Sequence, residues 1–432
     1  MASLSSASEQ IVPPRAGPLP RPSRTARILL VTSNFPPIRG GASVVYENLA
    51  RRGKGKITVL TATHSYRDGL ELPGWREHDL AAPYPILRRR LLRSPLLAEA
   101  ELHGWRRLAW LASDAAQRVA VLATVLRLVV GDGVRTVCVG ELLAGGWLLF
   151  LLRWAPGVRT IAYVHGEEMT TEEEETAEHV WNPGHSRAQL ALRQADEVVA
   201  VSHFATKVAK RLIGPKAAGK MTLILNGVDP QRFRLQPRRT DLVRRYRLEG
   251  RFVFVCVCRL IQKKGVDHTI RAFEQVIARH PDSRLLIVGK GPFEPELKAL
   301  VRQVSLEETV TFAGEVADAE LPAHYALGDV FVMPNRAMAD GDTEGFGLVF
   351  LEANACGVPV IAGRDGGSVD AVEHGVNGLV VDGHSVEAVA AAMLRLREDG
   401  ALRDRLRQGG LARAAAADWS SKAEQFLQVC GA

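Results

Sequence analysis

The sequence predicts two doubly wound α/β domains in tandem, facing one another across a central cleft. Three observations carry this. The chain has 432 residues, too long for one ordinary domain at ~150 residues each. Short apolar runs rich in Val, Ile and Leu alternate with helical stretches, which implies parallel sheets flanked by helices. The alternation then restarts after residue 240.

The first half opens on a strand, RILLVTSN (27–34), followed by a Pro–Gly loop, FPPIRGG (35–41), and a helix, SVVYENLARR (43–52). Further strands are expected at KITVLT (56–61), RTVCVG (135–140), RTIAYVH (159–165), DEVVAVS (196–202) and MTLILN (221–226). The run LLAGGWLLFLL (142–152) falls short of the ~20 residues a membrane span requires and reads as a buried helix. A proline- and arginine-rich segment, NGVDPQRFRLQPRR (226–239), reads as a linker. The second half starts with the strand FVFVCVCRL (252–260) and the helix VDHTIRAFEQVIARH (266–280). RLLIVG, TVTFAG, DVFVMPN, VPVIAG and GLVVDG continue as strands, with a helix near 294–304. The C-terminus reads as helical, and the Ser421–Glu424 spacing fits a capping box.

Composition narrows the class. With 47% hydrophobic and 24% charged residues the chain is an ordinary folded protein. A net charge of +7 suits an anionic partner, such as a phosphorylated substrate or anionic lipid. No zinc-finger spacing or basic stripe interleaved with aromatics is visible, so nucleic acid is not expected. Five cysteines without framework spacing argue for a reducing compartment. Residues 1–26 lack an apolar signal core and read as a disordered Ser/Pro/Arg tail. The expected location is therefore cytoplasmic. Segment 85–97, PILRRRLLRSPLL, carries four arginines and no acid. As an interfacial helix it would place the protein peripherally at the inner face of a membrane, and as a packed amphipathic helix it would not.

Two stretches carry the chemistry. In EGFGLVFLEA (344–353), Glu344 and Glu352 bracket a glycine turn and an apolar run. If helical throughout, the eight-residue step from Glu344 to Glu352 would span ~12 Å, a length that suits an elongated ligand. Glycine permits close backbone approach, and a helix start offers free N–H groups to phosphate. In RLIQKKG (259–265), Arg259 and Lys264 follow a strand directly. Ligands of doubly wound sheets bind at that end, and two fixed cations there can neutralise a diphosphate without a metal.

The R-x4-K of Arg259 and Lys264, followed by the E-x7-E of Glu344 and Glu352, resembles the retaining GT-B glycosyltransferases of family 4. The glycine pair Gly40–Gly41, His165 in YVHGEE, NGVD (226–229), VGKGP (288–292), FAGEV (312–316), GG-x-x-D (366–370) and VNGLVV (376–381) occur in the matching order. The likeness covers about residues 27–430. It implies a Rossmann-like acceptor domain over 27–235, onto which a C-terminal helix near 415–432 packs back, and a Rossmann-like donor domain over 236–414. It further implies a nucleoside-diphosphate sugar as donor, UDP- or GDP-linked, with no cofactor or metal, and a glycan or lipid-linked acceptor. Arg259 and Lys264 would contact the diphosphate and Glu352 the ribose. Glu344 would face the sugar, and the backbone of Phe346, Gly347 and Leu348 would offer N–H groups. Val316 would lie beside the base, Gly40 and Gly41 would close over the phosphates, and His165 would line the anomeric side. Asn335 stands where the family often has Ser, and Asp370 where it often has Glu.

Retention admits two routes. A double displacement needs a carboxylate nucleophile, for which Glu344 is the placed acid. Same-face attack needs strong leaving-group stabilisation, which Arg259 and Lys264 supply. The second is the expectation, with Glu344 orienting the sugar. The alternatives are a sugar-nucleotide epimerase of the same fold and a non-catalytic, membrane-associated nucleotide-sugar-binding protein. DGD (340–342) reads as a loop rather than a metal site, the acidic run in 165–179 as a solvated face, and Cys256 and Cys258 as core residues.

Overall fold

The computed structural model describes residues 27–95, 103–166, 169, 183–214 and 219–432. The expected tail 1–26, most of the acidic run and the end of segment 85–97 lie outside these residues.

Two wholly parallel sheets form the frame. The first has strands β1 (Ile28–Val31), β2 (Ile57–Ala62), β3 (Ile86–Arg89), β4 (Thr136–Val139), β5 (Arg159–Val164), β6 (Glu197–Ala200) and β7 (Met221–Leu223), in the order 3-2-1-4-5-6-7. The second has β8 (Phe252–Val257), β9 (Ser283–Val288), β10 (Val310–Gly314), β11 (Val330–Met333), β12 (Val360–Gly363) and β13 (Gly378–Val381), in the order 10-9-8-11-12-13. Strand residues of β1, β2, β4, β8, β11 and β12 are buried or nearly so along their length, because helices cover both faces. Each sheet reverses direction once, between β1 and β4 and between β8 and β11. A doubly wound sheet binds ligands outside the carboxyl ends of its strands at that reversal. The loops carrying Gly40–Gly41, Arg259–Lys264 and Glu344 follow β1, β8 and β11 respectively.

The chain crosses between the sheets twice, and the crossings pack together. Val228 donates to Ala417 O at 2.8 Å and accepts from Trp419 N at 3.3 Å. A Cβ at Gly227 would lie 2.6 Å from Ala417 O, so only glycine admits this approach. The expected linker is thus a packed seam, with Phe233 buried edge-on to Tyr325. Helix Trp419–Val429 returns to the first sheet, where Thr136 Oγ1 donates to Cys430 O at 2.9 Å. It begins one turn earlier than the capping-box spacing implied: Asp418 is the cap and accepts from Ser420 N at 3.1 Å.

The described part of segment 85–97, residues 85–95, is not a helix. Residues 86–89 are the edge strand β3. Arg88 is buried, fork-bonded to Asp79 at 2.8 Å and donating to Ala62 O and Pro36 O. Leu92 and Arg93 are buried too. β3 pairs with β2, and its apolar side chains Ile86 and Leu87 are buried in the core. The 142–152 run is a helix, mostly buried as expected, though Phe150 and Leu151 stand 41% exposed.

Candidate active site

Immediately after β8 the chain exposes Arg259 and enters a single 3-10 turn, Gln262–Lys264. Gly265 ends the turn at φ 70, where a Cβ would sit 2.1 Å from Pro334 O. The turn therefore lies flush against the end of β11. Its two lysines diverge in role. Lys263 is buried, donating to Asp342 Oδ1 at 2.8 Å and Thr343 O at 3.0 Å. Lys264 reaches the Glu344 carboxylate in a direct ion pair. Both cations thus grip one loop, and a buried charge is tolerated only when paired in this way.

The far side of that loop rests on glycines. Gly367 donates to Glu344 O at 2.7 Å. A Cβ on Gly366 would be 2.3 Å from Glu344 O, and one on Gly367 2.0 Å from Gly345 O. Glu344 is consequently held from both sides with its carboxylate buried. The continuous 344–352 helix considered above does not form. Gly347 adopts φ 86 and the helix runs only from Leu348 to Ala355, leaving Glu344 on the loop ahead of it. Phe346 is buried, and Leu348 opens the helix.

Glu352 lies on that helix and accepts from Tyr325 Oη at 2.7 Å. Burial pushes its carboxyl above the ordinary range, while the Tyr325 hydroxyl and nearby Arg232 pull it back. It faces an interdomain cavity of about 270 Å³ shared with Val44, Asn48 and Arg51 of helix Gly41–Arg52 and with Arg232.

The first domain contributes the opposite wall. A Cβ on Gly41 would lie 3.9 Å from Leu348 Cδ1, so the starts of helices Gly41–Arg52 and Leu348–Ala355 face each other. Two helix N-termini converge there, each favouring an anion. A Cβ on Gly40 would meet nothing within 4 Å. Beside it, Arg39 pairs with Glu315 and reaches Val316 O at 3.4 Å, tying the loop to the second domain.

His165 ends β5 half-buried. Its Nε2 lies 2.8 Å from Tyr46 Oη, and Tyr46 gives its own proton to Gly140 O. The His165 Nε2–H is therefore the donor to Tyr46. Burial pulls its pKa down to about 4, so the ring is neutral at physiological pH. Gly140 is required here, since a Cβ would come within 2.5 Å of the Tyr46 ring.

The structure also places residues that sequence reasoning passed over. Lys263 was indistinguishable from its neighbour without the 3-10 turn that sends the two side chains apart. His203, given no role above, binds Asp370 of the GG-x-x-D stretch: its backbone N–H donates to Oδ2 at 2.7 Å and its Nδ1 lies 2.6 Å from Oδ1. That contact crosses the cleft at the start of helix His203–Ile213. Arg336 and Asp267 form a two-pronged pair at 2.9 Å under the same loop. Asn335 clamps strand ends, accepting from Gly363 N and donating to Asp365 O. Its departure from Ser is thus a matter of framework. Asp342 of DGD is engaged by Lys263, as a loop reading requires. Cys256 and Cys258 are both buried.

Gly40 and His165 yield predictions. Gly40 has an extended backbone and open space, so Gly40→Ala should leave the urea unfolding midpoint unchanged. If a donor phosphate passes there, kcat/KM should fall about 10²-fold. Unchanged turnover would remove Gly40 from the site. For His165 the folded pKa of about 4 lies below the ordinary 6.5. Between those values the unfolded chain binds more protons, so stability is unaffected above pH 6.5 and declines as pH falls toward 4. His165→Gln should flatten that part of the stability–pH curve, and an identical curve would refute the assignment.

Comparison with known proteins agrees with this geometry. A family model described as "Glycosyltransferase Family 4" matches residues 39–232, and one described as "Glycosyl transferases group 1" matches residues 239–413. The chain is 34% identical over 392 residues to a GDP-mannose-dependent alpha-(1-6)-phosphatidylinositol monomannoside mannosyltransferase of Mycobacterium tuberculosis, covering 87% of this chain and 90% of the relative. It is 29% identical over 411 residues to a GDP-mannose-dependent monoacylated alpha-(1-6)-phosphatidylinositol monomannoside mannosyltransferase of Corynebacterium glutamicum, covering 92% and 95%. The crystal structure of Anabaena HepE with UDP and glucose superimposes with a TM-score of 0.71 at 21% identity, covering 93% of this chain and 98% of that one, a likeness of fold. With its two facing Rossmann-like domains, the chain belongs to glycosyltransferase family 4 and is a glycosyltransferase of the GT-B fold.

Proposed function

We propose that the protein transfers a mannosyl residue from GDP-mannose, with retention and without a metal ion, to a hydroxyl of an inositol-containing glycolipid. The observation that carries this reading is the 34% identity across 90% of a relative named for that donor and acceptor class. The site supports it chemically. Arg259 and Lys264 offset the charge of the diphosphate, and the facing helix starts add N–H groups and dipole. Val316 borders the base and Glu352 holds the ribose. Phe346, Gly347 and Leu348 present backbone to the phosphates, with Gly40 and Gly41 opposite. His165, neutral, lines the anomeric side.

Retention follows from same-face attack. The bond from the anomeric carbon to the β-phosphate oxygen breaks, the acceptor oxygen bonds to that carbon on the same face, and the acceptor proton passes to the departing phosphate. The Lys264 ion pair favours this role assignment, because an ammonium on Glu344 lowers its nucleophilicity and fixes it as a sugar-orienting group. Asp342 is already engaged by Lys263, which favours leaving-group stabilisation by side-chain cations.

The test offers radiolabelled GDP-mannose, UDP-glucose and other sugar nucleotides with an inositol glycolipid, with and without EDTA. The expected product is an α-mannoside formed from GDP-mannose at an EDTA-insensitive rate. Glu344→Ala should lower kcat about 10²–10³-fold with unchanged circular dichroism. A preference for a UDP-sugar, a β-linked product, or loss of activity in EDTA would each overturn the corresponding part.

A further inference from the structure

Behind His165 stands Tyr46, on helix Gly41–Arg52 and wholly buried. Its hydroxyl sits between the carboxyl ends of two neighbouring strands. On one side it donates to Gly140 O, just past β4. On the other it lies 2.8 Å from His165 Nε2, just past β5. Gly140 is itself fixed, its N–H donating to Val31 O of β1 at 2.9 Å. Three strand ends are thus joined through one phenol, at the edge of the sheet where ligands bind.

The bond to His165 has a direction. A tyrosine hydroxyl has one proton to give and lone pairs with which to receive. Here the proton goes to a carbonyl, which can only accept, so Nε2 of His165 carries the hydrogen. A neutral imidazole has one N–H, which leaves the lone pair on Nδ1. With a pKa of about 4 the ring is a weak base. A hydroxyl that meets it must donate to Nδ1, and is oriented there without losing its proton. The ring plane is held as well. Tyr46 packs edge-on to it with centroids 5.3 Å apart, and Tyr163 leans on it at 5.6 Å. Phe426 of helix Trp419–Val429 closes the cluster, 5.8 Å from Tyr163.

The two tyrosines differ in one respect. Both are buried against His165, but among the described residues the Tyr163 hydroxyl has no hydrogen-bond partner. Tyr163 therefore acts as a packed ring. Tyr46 commits its proton and a lone pair to fixing one histidine tautomer. We propose that Tyr46 is a positioning residue for the transfer: its hydroxyl holds His165 as the Nε2–H tautomer, so that Nδ1 accepts from a hydroxyl of the sugar or of the acceptor. Tyr46 also belongs to the helix that starts at Gly41, so the same contact sets the Gly40–Gly41 loop relative to that histidine. The role rests on the place given to His165 in the reading above. The tautomer does not.

The test compares Tyr46→Phe with Tyr163→Phe, each of which deletes one hydroxyl and keeps the ring, in the wild-type and His165→Ala backgrounds. With GDP-mannose and an inositol glycolipid, Tyr46→Phe should lower kcat about tenfold, the worth of one hydrogen bond. Its Kd for GDP should stay at the wild-type value, and Tyr163→Phe should keep the wild-type kcat. Tyr46→Phe should cost nothing further in His165→Ala, because residues that act as a unit are not additive. Loss that extends to hydrolysis of GDP-mannose without acceptor assigns the hydroxyl to the sugar, and loss confined to transfer assigns it to the acceptor. Nitrogen-15 spectra of the free, histidine-labelled wild-type protein should show His165 as the Nε2–H tautomer. An Nδ1–H tautomer overturns the proposal, as does wild-type kcat in Tyr46→Phe, an equal loss in Tyr163→Phe, or losses that multiply in Tyr46→Phe with His165→Ala. Full activity of His165→Ala removes His165 from the site and this inference with it. Wild-type protein that leaves GDP-mannose unused but shows the Nε2–H tautomer counts against the donor reading alone, and the kinetic comparison is then made with the sugar nucleotide it does use.

Discussion

The arrangement depends on the two adjacent lysines of the 3-10 turn after β8. Lys263 and Lys264 are set into this half-closed space against carboxylate and carbonyl oxygens, as the pairing of buried charge requires. Asp342 and Thr343 O take the first and Glu344 takes the second. The loop between β11 and helix Leu348–Ala355 is thereby pulled onto the end of β8, across the reversal point of the sheet. Glycines at 265, 366 and 367 are the geometric counterpart, because a Cβ at each would strike main-chain oxygen. Charge and close packing together fix the position of Glu344, and function is read from that position.

The cleft is held by contacts of unequal strength. The seam of Val228 and Trp419 is main chain to main chain and shared with the buried Trp419 ring. The His203–Asp370 and Arg39–Glu315 contacts sit at its mouth, where His203 and Arg39 are largely exposed and solvent screens the attraction. The back of the cleft is thus buried main chain, and its mouth is bridged by solvent-exposed ion pairs. The glycine pairs Gly40–Gly41 and Gly366–Gly367 adjoin those contacts.

Most of the fold was legible because its strands are continuous Val/Ile/Leu runs, the pattern of sheets buried on both faces. Spacing and order put Arg259 and Lys264 at the end of β8 and Glu344 and Glu352 about the turn that follows β11, and the structure places them there. Other features depend on tertiary context. The 86–89 arginine run looked like a helix face because pairing with β2 and a fork to Asp79 leave no mark in local composition. The division of labour between Lys263 and Lys264 is set by the 3-10 turn that carries them and that Gly265 ends at φ 70. The cap at Asp418 prevailed over the Ser421–Glu424 pattern because Val228 fixes where that helix can begin. Helix Gly104–Gly131 gave no clear signal, since apolar residues on two opposite stripes blur the periodicity of either one.

The central claim is that Arg259 and Lys264 receive the donor diphosphate at the carboxyl end of β8. Calorimetric titration of GDP into the wild-type protein and into Arg259→Met and Lys264→Met variants tests it most directly. The account predicts that each substitution weakens binding at least about tenfold, the cost of one charge-assisted contact, with the unfolding midpoint unchanged in Arg259→Met and lowered in Lys264→Met, which leaves the Glu344 carboxylate without its ammonium. GDP affinity equal to wild type in both variants would contradict it.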